Sequence, residues 1–148
     1  MIRSLFAAAA IIAGATAVFT QSDAVKTRQD LMKQNEDGAT VVFRMTRGEV
    51  PFDAEKVKAV YTQLEDTAKQ LPNLFPDNTK GGSGGNRASP KIWDGNKADF
   101  NAKNAQFAQA IAEGKQKGGS LDGLKTAFGA LEKSCNDCHR AYRLSRQR

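Results

Sequence analysis

An all-α fold, an antiparallel up-down-up-down four-helix bundle with one long loop between its second and third helices, is what this chain predicts. Three observations carry that expectation. Apolar residues recur at alternating spacings of three and four along four separate stretches, so each stretch has one apolar helical face. No stretch alternates with the period of two that a half-buried strand requires. Two of the breaks between stretches are short and glycine-marked, while the third is long and rich in Pro, Gly and Ser.

The N-terminus stands outside this pattern. Arg3 is followed by the apolar run Leu5–Ala13 and by Ala15-Thr16-Ala17, a small-x-small cleavage site. Residues 1–17 therefore read as a signal peptide that is cleaved on export, too short in its apolar run for the ~20 residues of a bilayer span. The expected mature chain, residues 18–148, is a single domain, periplasmic and without a stable membrane anchor. Processing removes one cation, so the formal net charge of +6 falls to +5.

The first helix is expected from about Ser22 to Arg47, stopping at Gly48, with Val25, Arg28, Met32, Asn35, Ala39 and Val42 on one face. Asn35, Asp37 and Gly38 are weak helix formers that would loosen its middle. The second begins after Pro51 with Asp53 as N-cap, and its core face runs Val57, Val60, Tyr61, Leu64, Ala68 and Leu71. The crossover loop covers Pro72 to Arg87. Ser89-Pro90 reads as an N-cap with proline at the first helical position, opening a third helix that carries Trp93, Phe100, Phe107 and Ile111. After Gly118-Gly119, Ser120 caps the fourth. Its seam of Leu121, Leu124, Phe128, Leu131, Cys135, Cys138 and Tyr142 is unbroken.

Cys135-Asn136-Asp137-Cys138-His139 is the chemical centre of the chain. The pattern C-x-x-C-H is that of covalent c-type haem attachment. Thiols three residues apart on a helix point the same way, so both can form thioethers to one porphyrin, and the adjacent imidazole offers an axial nitrogen to its iron. Both cysteines and the only histidine lie within these five residues. A thioredoxin-like dithiol would open a helix in a βαβ unit; this motif closes a helical pattern with no strands near it. A structural zinc needs four ligands, and the chain has no second Cys or His pair. A three-residue disulfide loop would stabilise little.

With haem held on the last helix, a sixth ligand must come from upstream, and methionine is the usual partner in electron-carrying cytochromes. Met1 leaves with the signal peptide, so Met32 and Met45 remain. Thirteen residues separate them, roughly 140° around the helix, so both cannot face one iron. In an antiparallel bundle Met32 falls within roughly 7 Å of the level of His139 and Met45 nearly 30 Å away. Met32 is the candidate, either as ligand or as packing above an open iron; Met45 belongs to the core or the bundle end. Arg28, one turn before Met32, suits a haem propionate or an exposed helix face. Arg143, one turn past His139, suits the haem edge.

Lys and Arg are interspersed with Asp and Glu, and no basic arm with interleaved aromatics exists, so nucleic acid is not an expected partner. Arg140, Arg143, Arg146 and Arg148 concentrate charge at the C-terminus. They complement the helix dipole, or form a positive rim that steers a redox partner with an acidic docking surface. No second histidine and no nucleophile–base set is available for enzymatic chemistry.

The chain resembles the class II cytochromes c, the family of cytochrome c′ and the low-spin cytochrome c-556 branch. The resemblance rests on Cys135–His139 with Tyr142-Arg143, on Arg28–Met32, and on Pro51–Asp53, Leu71–Pro76 and Pro90–Trp93, and it covers the mature chain. It implies one covalent haem c with its iron and a four-helix bundle, with one of two behaviours. Cytochrome c′ keeps a five-coordinate iron that binds nitric oxide or carbon monoxide; the c-556 branch adds a first-helix methionine and carries electrons. Leu31-Met32-Lys33 and Leu71–Phe75 look more like the second. The family also implies a possible homodimer through the first two helices, where Val41, Phe43 and Met45 lie off the main seam or belong to the core.

Overall fold

Residues 21–81 and 85–145 are described by a computed structural model. They form four α-helices: α1, Gln21–Thr46; α2, Ala54–Gln70; α3, Lys97–Lys117; and α4, Leu121–Tyr142. The signal-peptide reading falls on residues 1–17, outside the described residues, as do Arg146 and Arg148. No described helix is long and apolar enough to cross a membrane.

Local chemistry sets most helix ends where the sequence predicts them. The Asp53 carboxylate accepts from the Lys56 amide at 3.0 Å, and that bond holds its carboxyl below the usual range. Ser120 does the same for α4, accepting from the Gly123 amide at 3.2 Å. The third helix departs from expectation. Ser89 caps only a single 3₁₀ turn, Pro90–Ile92. Beyond it the chain turns at Gly95, whose φ of +86° few other residues tolerate, and α3 begins at Lys97. Tertiary anchoring explains the break: Ile92 is fully buried and the Trp93 indole donates to the Phe75 carbonyl at 3.2 Å. Trp93 thus belongs to the loop between α2 and α3, whose described residues contain three 3₁₀ turns.

The middle of α1 is not loosened. Asn35, a poor helix former, uses its side-chain oxygen to accept from Gln63 at 2.8 Å and from Thr67 at 3.0 Å. Thr67 is wholly buried, so this bond ties α1 to α2 where water cannot compete.

The main core lies among all four helices and includes Val42, Met45, Tyr61, Leu64, Ile111 and Leu131. Side chains of this size contribute about 1.5–3 kcal/mol each when fully buried. Met45, 2% exposed, belongs to this core and is withdrawn from any dimer contact; Val41 and Phe43 remain exposed. A second cluster of Ile92, Phe100 and Tyr142, backed by Phe75, Trp93 and Cys138, sits beneath the crossover loop.

Along α4 the deepest stripe differs from the expected seam. Leu124, Ala127, Leu131, Ser134 and Tyr142 are buried, whereas Leu121, Phe128, Cys135 and Cys138 are only half-buried. The reason is lopsided packing: α4 meets α3 over a long interface and α1 over a short one, so its α1-facing side stays shallow.

A candidate haem site between the first and last helices

The shallow side of α4 carries the predicted residues. Cys135 and Cys138 are both free and half-buried, and burial pushes both thiols up from their ordinary pKa. Cys135 packs on the main core and Cys138 on the loop-side cluster, so the pair straddles the junction between the two. His139 is half-buried as well. Burial lowers its pKa first, and the charges of Arg143 and Arg87 lower it further. A neutral imidazole with a free ring nitrogen is the form that binds iron.

The level of Met32 follows from one contact. The rings of Phe43 on α1 and Phe128 on α4 lie 5.9 Å apart. Met32 is eleven residues before Phe43, and His139 is eleven residues after Phe128. In antiparallel helices both steps go the same way, by about 16 Å, and eleven residues fall within about 20° of three whole turns. Met32 therefore comes level with His139 and on the matching sides of the two helices. It is half-buried, while Met45 lies thirteen residues further along α1, inside the main core.

Arg28 is not the exposed helix arginine that pattern alone allowed. It is 6% exposed, its guanidinium lies 4.3 Å over the Phe75 ring, and Nη2 donates to Asn86 at 3.4 Å. Nη1 is buried without a hydrogen-bond partner, and burial lowers its pKa to about 10. A buried guanidinium that keeps one edge unpaired fits an anionic group such as a propionate. From Phe75 the contact continues edge-on to Phe100 at 4.6 Å and from Phe100 to Tyr142 at 5.5 Å. This aromatic chain links α1, the loop, α3 and the end of α4 one turn beyond both Met32 and His139.

Two free thiols, a neutral imidazole, a thioether at matching height and a buried cation with an unpaired edge fit a porphyrin between α1 and α4. The polar groove of about 560 Å³ between α1 and α2 does not: Gln34, Lys58, Gln63 and Asp66 line it, with no thiol or imidazole. Phe75, Asn86, Phe100 and Arg87 join the site without having been singled out for it. Phe75 and Phe100 were visible as apolar residues, but nothing in the local pattern of Asn86 or Arg87 marks them.

Tyr142 also closes the site's far end. Its hydroxyl donates to the Asp99 carboxylate at 2.5 Å, and burial together with that carboxylate raises its pKa to about 12. Tyr61, buried in the main core, is likewise raised to about 12, chiefly by burial. These are the chain's two tyrosines. Folded values above the unfolded value near 10 mean stability that is intact below pH 10 and lost as pH rises toward 12. Phenolate absorbance is therefore expected to stay silent at pH 10 and to emerge together with loss of helical circular dichroism. Ionisation of either ring near pH 10 in an intact fold would contradict this.

Comparison with known proteins gives one family. The family model for cytochrome c′ matches residues 23–143. The chain is 38% identical over 146 residues to cytochrome c-556 of Rhodopseudomonas palustris, covering 97% of each. The structure of oxidised cytochrome c556 from R. palustris superposes with a TM-score of 0.76 at 37% identity, over 85% of this chain and 99% of that one. A variant of cytochrome c prime from Alcaligenes xylosoxidans in complex with nitric oxide gives a TM-score of 0.75 at 31% identity, over 84% and 97%.

Proposed function

Since this chain belongs to the cytochrome c′ family of class II cytochromes c, we propose that it is a periplasmic one-electron carrier. In this reading Cys135 and Cys138 would hold haem c covalently, and His139 and Met32 would ligate its iron. The haem supplies the reversible ferric–ferrous change; the chain binds, orients and shields it. Cys135 and Cys138 fix the ring along α4, and His139 presents its neutral nitrogen from the same helix. Met32 would supply a thioether to the iron, a ligand that favours the ferrous state. Arg28 directs its unpaired edge at a propionate. If His139 and Met32 both stayed bound in either oxidation state, this chain would have little to rearrange when an electron moved.

The observation that carries the reading is the shared eleven-residue offset that brings Met32 level with His139 from the Phe43–Phe128 contact. Export by residues 1–17 agrees with a c-type haem, which is attached outside the cytoplasm. Exposed Arg140 and Arg143 next to the site suit a redox partner with an acidic docking surface, although Arg140 shares its charge with Asp137 at 3.6 Å.

The competing behaviour is an open iron that takes up a diatomic gas; a variant of the A. xylosoxidans relative is known as a nitric oxide complex. Carbon monoxide added to the ferrous protein separates the two. A low-spin spectrum indifferent to stoichiometric gas is expected of the parent, and Met32→Ala is expected to turn high-spin and bind the gas promptly. A Met32→Ala protein that stayed low-spin and unresponsive would remove Met32 as ligand, and a parent that bound carbon monoxide at once would favour the gas-binding reading.

A further inference from the structure

The crossover loop does more than join α2 to α3, because its segment 86–89 is laid along the end of α4. The Leu144 amide donates to the Arg87 carbonyl at 2.8 Å, and Arg87 Nε donates to the Leu144 carbonyl at 2.9 Å. The Ser89 amide donates to the Tyr142 carbonyl at 2.9 Å, and Ala88 and Arg143 form an antiparallel bridge. The Arg143 amide in turn donates to the His139 carbonyl at 3.0 Å. On its other side, Asn86 accepts from Arg28 of α1. One short loop segment is thus fastened to both helices that carry the haem residues.

This ladder fixes a cation. Arg87 is half-buried, and its guanidinium is held by the carbonyl of Leu144, the residue after Arg143, whose own amide is bonded to the His139 carbonyl. Arg140 is partly neutralised by Asp137; among the described residues no carboxylate pairs with Arg87.

We propose that Arg87 is a positioning residue of the haem site, a charge unpaired with any carboxylate among the described residues, which the loop ladder holds on the His139 side and which favours the ferrous state over the ferric. The proposal rests on the haem reading above. The couple it acts on gains one electron at iron, with no bond made or broken, so a fixed positive charge enters only through electrostatics.

Spectroelectrochemical titration of the purified holoprotein tests it, with an electrode supplying the electron and no partner present. Arg87→Gln is expected to shift the ferric–ferrous equilibrium toward ferric by about three- to tenfold, tenfold being about 59 mV for one electron. Arg87→Lys loses the Nε bond to Leu144 but keeps the charge, and is expected to stay close to the parent. An Arg87→Gln equilibrium equal to that of the parent would overturn the proposal, and so would an Arg87→Lys shift as large as that of Arg87→Gln. A parent purified without covalent haem would instead sink the underlying reading.

Discussion

Replacing Cys135 and Cys138 together by alanine is expected to leave a chain with no covalently held haem, an all-or-none effect. Denaturing electrophoresis with haem staining and intact mass would read it directly. The parent should carry colour and the mass of one porphyrin, and the double variant neither. Each single variant keeps one thioether and is expected to retain stained haem with a shifted spectrum. The expectation follows from geometry, since both thiols are free and half-buried, three residues apart on α4, with no disulfide between them to break. Retention of stained haem by the double variant would show that attachment does not run through this pair.

The second large effect lies in the core below the site. A Cβ on Gly114 of α3 would sit 1.9 Å from Cε1 and 2.2 Å from Cζ of Tyr61, well inside contact distance. Tyr61 is fully buried among the main core residues and has nowhere to retreat. Overpacking of this kind costs about 1–3 kcal/mol and occasionally more. The better helix propensity of alanine returns only about 1 kcal/mol. Gly114→Ala is therefore expected to destabilise by up to about 2 kcal/mol net, lowering Tm by up to roughly 10 °C. The same substitution beside Tyr61→Leu should be nearly neutral, because the ring it would strike has gone. Equal losses in the two backgrounds would show that the close approach is not the cause.

Much of the site was legible because its chemistry is local. The C-x-x-C-H motif occupies five consecutive residues, and a helical spacing of three is enough to align two thiols. Setting Met45 aside needed helix geometry and the expected antiparallel pairing of the first and last helices, and Met45 is buried in the main core. Asn35 and Ser89 show where local reasoning fails. Asn35 looked like a weak point of α1, but a partner on α2 makes it a tie between helices. Ser89-Pro90 carries the chemistry of a helix start, yet a 3₁₀ turn satisfies the same capping bond. What ends that turn is the anchoring of Ile92 and Trp93 against distant residues.

Arg28 makes the same point for function. Its sequence context fits an exposed helix face as well as a ligand contact, and only Phe75 and Asn86, 47 and 58 residues away along the chain, bury it. Those contacts leave one edge of a desolvated guanidinium unpaired.

By itself the sequence determined the four-helix pattern and the C-x-x-C-H motif, since each depends on residues within a few turns of one another. The tertiary structure alone decided the Phe43–Phe128 contact that refines the register of α1 against α4, the burial of Arg28 and the ladder that holds Arg87. Those features come from contacts across dozens of residues, where the chain's own periodicity carries no information about which side chain meets which.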